Sequence, residues 1–353
     1  MKIGKAMKDK KTLAHMVDAI HENNFVADAH FDLTMDICDR RDRGGTRVFE
    51  TVYKDGFRKG GVNAVISSLF IHDHFLPEMA LRKALDQISA LHSEMDESDG
   101  QLALCRTTGE IREASDNNKL AVLLSFEGIE PIGRDLSLLR VFYELGVRGV
   151  GLVWSRRNYA ADGSFFFPGP EGRKGGLSRF GVKLVEAALK LGMYIDVSHL
   201  NDEGFQDVME IADGPVMASH SNCRDLVPVM RNLTDHQIRT IAGKGGVIGM
   251  NALNAFVGLS QGGRRLSADD LVDHVDHIVS IAGVAHVAMG FDFDESFADY
   301  TNMGKAIETY DVISGHGHIK EFTAALVKRG YGEDEIRLIL GENLRRFLKE
   351  TIG

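Results

Sequence analysis

Five residues of this 353-residue chain have side chains suited to holding divalent metal ions: His30, Asp32, Glu127, His199 and His220. His30 and Asp32 stand two apart, so an extended strand turns both to one face and packs Phe31 away. Glu127 closes the apolar run AVLLSF, where a carboxylate is costly unless it is paired or set against a cation. His199 and His220 each follow a serine at the end of a β-like run, and neutral imidazole is a common ligand for zinc. Singly, each has a plainer reading: a hydrogen-bonded polar pair at a strand end, a buried ion pair, a histidine satisfied by the backbone. Gathered by one fold, three imidazoles and two carboxylates would supply ligands for two ions sharing one carboxylate, the arrangement that two-metal hydrolysis needs.

The elements that would gather them are eight apolar, β-branched runs: 25–31, 62–70, 120–127, 147–154, 193–199, 215–220, 246–251 and 286–292. Amphipathic helical patterns lie between many of them, such as LSRFGVKLVEAALKLG before the fifth and TDHQIRTIAGKGG before the seventh. Alternating strands and helices predict parallel pairing. Eight units predict a (β/α)8 barrel of the TIM type, and an open doubly wound sheet is the competing α/β architecture. The polar residues favour the barrel, whose active site forms at the carboxyl ends of the strands. Four of the runs end in Glu127, Ser198-His199, Ser219-His220 and Asp292-Phe293-Asp294, and the first in Asp28-Ala29-His30-Phe31-Asp32. Residues 1–353 read as one such domain, with long loops at about 155–178 and 295–315 placed to shape a pocket.

The segments DAHFDL (28–33), FEG (126–128), DVSH (196–199), ASHSN (218–222), RN (231–232), GFDFD (290–294) and GENLRRFL (341–348) resemble, in order and spacing, the membrane dipeptidase family of metal-dependent amidohydrolases. The resemblance spans nearly the whole chain and implies a distorted (β/α)8 barrel. It also implies two zinc ions, one on His30 and Asp32, the other on His199 and His220, with Glu127 bridging both. The implied reaction is attack of a metal-bridging hydroxide on the amide of a small dipeptide, L-Xaa-D-Xaa substrates included. Asp292 matches the family's proton-transfer residue, with Glu127 beside it in the catalytic set and Asp294 a structural neighbour. Arg231 matches the arginine that grips the substrate carboxylate. One departure stands out: the family's histidine after the fourth run is replaced by Trp154, which either packs the pocket or leaves Arg156, Arg157 or Asn158 to supply the polar contact. With Arg231, Trp154 and Asn158 form the expected substrate-binding set. Trp154 also keeps open another amide, an N-acyl amino acid or a lactone as substrate, and a catalytically silent binding barrel is the reading from a different class. Family members often form homodimers, and no segment here marks an interface.

Composition narrows the partners. A formal charge of -10 leaves no clustered basic surface for nucleic acid or an anionic membrane. No apolar run is long enough to span a bilayer, and the basic N-terminus lacks an unbroken hydrophobic stretch. Cys38, Cys105 and Cys223 are odd in number and form no Cys-x-x-Cys pair, which fits a reduced, cytoplasmic chain. His72 and His74 read as loop or outer-layer residues, and His274 and His277 as an exposed or partly packed helix face. His316 and His318 read as either capping or pocket-lining residues.

Overall fold

The computed structural model describes residues 10–164, 174–258, 264–293 and 309–353. Among the described residues nine strands run parallel: β1 Ala27–Phe31, β2 Ala64–Phe70, β3 Leu102–Leu104, β4 Leu120–Glu127, β5 Val147–Gly151, β6 Tyr194–Asp196, β7 Met217–Ala218, β8 Val247–Met250 and β9 Val287–Met289. Eight of them close a ring in which β9 pairs with β1 and β2 pairs with β4. The expected barrel is therefore formed, and each of the eight runs supplies one of its strands. The ninth strand, β3, was not read from the sequence. It pairs with Leu120–Val122 at the foot of β4, while β5 pairs with Leu124–Glu127 above it.

The period of two along each strand divides the chemistry. On β4, Leu120, Val122, Leu124 and Phe126 join the main apolar core, while Ala121, Leu123, Ser125 and Glu127 take the other face. Ala121 and Leu123 pack with Ala64, Tyr194, Met217, Val247 and Ala288, which begin or lie low on their strands. Phe347, from the C-terminal helix Asn343–Thr351, sets its ring edge-on to Tyr194 with centroids 5.6 Å apart and closes this interior from below. The foot of the barrel is apolar and the mouth is polar, so the mouth is where charge must be satisfied.

Both helices singled out in the sequence form, as Arg179–Lys190 and Asp235–Gly243. Ser178 caps the first through Gly181 N–H, and Thr234 with Gln237 makes a reciprocal capping box on the second. Among the described residues no helix is long and apolar enough to cross a membrane. The segments 165–173 and 294–308, which include Asp294 and parts of both expected loops, lie outside the described residues.

Glycine at 249 and 290 is required by close approach. A Cβ on either would run into the Ser219 carbonyl oxygen, immediately before His220. Gly290→Ala is expected to lower unfolding stability by about 1–3 kcal/mol or more, the usual scale of overpacking. A parental midpoint in denaturant unfolding would show that the backbone gives way there at little cost.

Candidate metal centre

All five metal-ligand candidates meet at the mouth. His30 lies in β1 and Glu127 ends β4; Asp32, His199 and His220 lie one, three and two residues beyond β1, β6 and β7. The two carboxylate oxygens of Glu127 diverge: Oε1 is 3.0 Å from His199 Nε2 and 3.7 Å from His220 Nε2, whereas Oε2 is 3.7 Å from His30 Nε2. Asp32 Oδ1 and Asp292 Oδ1 lie 4.0 and 3.5 Å from that same nitrogen. Donor atoms of His30, Glu127 and His220 fall within 4.8 Å of one another, as do those of His30, Asp32 and Asp292.

The His199 and His220 rings are each met from behind, at Nδ1, by a serine hydroxyl. Ser219 Oγ donates to Asp196 Oδ2 and so accepts from His220 Nδ1, 2.6 Å away, which leaves His220 Nε2 as a bare lone pair facing the site. His199 Nδ1 lies 2.8 Å from Ser155 Oγ, and its Nε2 lies 2.8 Å from His220 Nε2. Two nitrogens so placed repel unless a proton or a cation lies between them. His30 Nε2 is buried without a hydrogen-bond partner. Behind it Asp28 accepts from the backbone N–H of His30 and Phe291 and pairs with His316 Nε2 at 2.9 Å.

Burial pushes the His30 pKa down to about 3, with Arg231 adding to the effect, and drives His199 and His220 well below the usual range. These rings are therefore neutral donors at physiological pH. Burial, with Asp36, raises Asp32 to about 6 against the opposing hydrogen bond from Ser68. Glu127 is held well above the ordinary carboxylate range by burial and by Asp32 and Asp292, with Arg231 opposing. Neutral imidazoles and crowded, desolvated carboxylates with an orphaned ring nitrogen fit a cationic metal, whose charge reverses the cost of ionising them.

On the substrate side, Arg231 is buried; Nη2 donates to His220 O at 3.0 Å, while Nε has no hydrogen-bond partner. Burial lowers its pKa to about 10, so it remains a cation. Trp154 packs against Phe70 and His199, with ring centroids 5.3 and 5.9 Å away. Asn158 does not join them: its Nδ2 donates to Leu152 O and its Oδ1 accepts from Ala160 N–H, which shapes the loop itself. Arg157 pairs with Asp162. Arg156 ties three loops by donating to Glu130, Asp73 and Ile71 O, and its guanidinium lies over Phe70 and Trp154.

Other histidines resolve clearly. His274 is fully buried rather than on an exposed face, accepting from Cys223 N–H and bonded to Val257 O; His277 pairs with Asp235. His72 is buried against Phe70 in the turn after β2. Sequence reasoning left His316 open and did not reach the roles of Ser155, Ser219 or Asn251. The motifs DVSH and ASHSN hold Asp196 and Ser219, and that adjacency to the ligands was the available signal.

The profile of the membrane dipeptidase family, peptidase family M19, matches residues 14–352. The chain belongs to that family. By family it is a metal-dependent dipeptidase. An uncharacterised protein in the pqqA 5' region of Klebsiella pneumoniae is 37% identical over 63% of this chain and 85% of its own length. Dipeptidase verJ of Clonostachys rogersoniana is 29% identical over 76% of this chain and 65% of its own length. A metallopeptidase of Rhodobacter sphaeroides, solved with a phosphinate mimic of the dipeptide L-Ala-D-Ala, superposes with a TM-score of 0.79 at 28% identity, covering 93% of this chain and all of that one.

For this membrane dipeptidase relative, the serine behind His220 gives a direct test. Ser219→Ala is expected to weaken metal retention by roughly 10–100-fold, the usual effect of removing a partner behind a ligand. Competition against a graded chelator measures it, and parental retention would dismiss the Asp196–Ser219–His220 relay.

Proposed function

We propose that this chain is a dinuclear dipeptidase. His30 and Asp32 would hold one ion and His199 and His220 the other, with the Glu127 carboxylate standing between the two sets. The observation that carries the reading is the divergence of the Glu127 oxygens, one towards His199 and His220 and the other towards His30. Imidazole and carboxylate donors suit zinc. When bound, two such ions lower the pKa of water and polarise a carbonyl.

The protein's own residues supply the rest. Asp292, with Oδ1 beside His30, takes the proton of the nucleophilic water and returns it to the leaving amine. Arg231, a desolvated guanidinium with an unpartnered Nε, receives the substrate's terminal carboxylate. Trp154 walls the site on the β5 side, and Asn158 supports the loop beneath it. Small L,D dipeptides are the substrates of choice, in keeping with the L-Ala-D-Ala mimic held by the Rhodobacter relative. The half-buried indole of Trp154, standing where a polar contact is expected, favours a second reading: an N-acyl amino acid or another amide with an apolar group on that side. The three cysteines are unpaired and buried, which supports a reducing, cytoplasmic setting.

Elemental analysis is expected to give near two zinc ions per chain, with chelator-sensitive cleavage of a mixed L,L and L,D dipeptide panel. Metal without dipeptide cleavage would move the assignment to the other amides; little metal and no activity after zinc is restored would overturn the site. Arg231→Ala should weaken turnover of dipeptides far more than of their C-terminal amides, by ~10-fold or more if a charged hydrogen bond worth about 1.5–3 kcal/mol is lost. Equal losses on both substrates would remove Arg231 from carboxylate recognition.

A further inference from the structure

We infer that Asn251 is the positioning residue of Asp292, holding one carboxylate oxygen so that the other faces the metal centre. The inference rests on the proton-transfer role given to Asp292 above.

Asn251 follows β8 and is fully buried. Its backbone is fixed by a side chain: Asn251 N–H donates to Asn222 Oδ1 at 3.0 Å, and Asn222 Nδ2 donates to Asn251 O at 2.9 Å. The amide of Asn222 thereby continues the β7–β8 ladder where the main chains part. The orientation of the Asn251 amide is set as well. Its Oδ1 accepts from Leu253 N–H at 2.8 Å, so Nδ2 must be the end that meets Asp292 Oδ2, at 2.9 Å.

Asp292 is gripped from two sides. Its N–H reaches back to His30 O at 3.3 Å and its φ of 55° lies in the left-handed region, while its side chain is bonded from β8. With Oδ2 engaged by Asn251, Oδ1 is the oxygen set 3.5 Å from His30 Nε2. The same scaffold reaches the substrate side. Asn222 and Asn232 both donate to Phe256 O, and the Arg231 guanidinium lies over the Phe256 ring. Asparagine suits position 251 because it alone combines an acceptor for Leu253 and a donor for a carboxylate at that length.

Asn251→Asp preserves shape and the acceptor for Leu253 but sets a carboxylate against Asp292 instead of a donor. We expect kcat to fall roughly 10–100-fold, part of the 10²–10⁴ typical of general acid–base catalysis, with KM within about twofold. Metal content per chain should match the parent, and N251D should add no further loss to D292N, because one residue acts through the other. A parental kcat in N251D beside a large loss in D292N would overturn this inference alone, as would additive losses in the double variant or loss of metal from N251D. A parental rate in D292N would overturn the proton-transfer reading and this inference with it. If N251D does not fold, the same comparisons are read on Asn251→Ser.

Discussion

Glu127 ends a strand whose alternate residues, Ala121 and Leu123, line the apolar foot of the barrel, so its carboxylate is delivered into an interior where charge is costly. Asp32 and Asp292 crowd it with more negative charge, and Arg231 opposes them by favouring its ionised form. His30, His199 and His220 are held neutral by the same desolvation. The mouth is thus a set of donors whose mutual repulsion is relieved by positive charge placed among them. The hydrogen bonds behind the ligands fix where that charge must go.

Those bonds come from outside the ligand set. Asp196 holds the Ser219 hydroxyl, which holds His220; Ser155 meets His199 from the β5 side; Asp28, paired with His316, accepts the backbone N–H of His30. Arg156 locks the loops after β2, β4 and β5 to one another and underpins Trp154. The site therefore depends on strand ends that are individually short, and β7 has only two residues in the ladder, because the chain beyond carries Ser219 and His220 out of it.

The barrel was legible because eight buried parallel strands each left an apolar run, and because the polar residues stood at the run ends. β3 escaped notice: three residues, LAL, pairing with one strand give too little pattern to separate from the loop around them. The candidate ligand set could be assembled from residue type and position, since imidazoles and carboxylates after apolar runs need partners. The supporting layer could not. Ser155, Asn222 and Asn251 are polar residues near strand ends like many others, and their meaning lies in which atoms face each other across strands distant in sequence. Asn158 illustrates the converse, a polar residue in the right loop whose amide organises that loop. His274 was misplaced because helical spacing assigns a face without saying what covers it, and here Cys223 and Val257 do.

His199 and Asp292 both adopt left-handed backbone angles, with φ of 67° and 55°. Side-chain-bearing residues in such conformations cost about 1–3 kcal/mol each, which the rest of the fold must offset. Glycine tolerates these angles freely. Glycine at 199 or 292 would release that strain, yet at the buried 199 it would leave a cavity, and at either position it would remove a side chain proposed for the metal centre or for proton transfer. If these two residues serve as proposed, their backbone strain is part of what the barrel gives up in thermal robustness for its site, and a hardier enzyme finds its gains elsewhere in the chain.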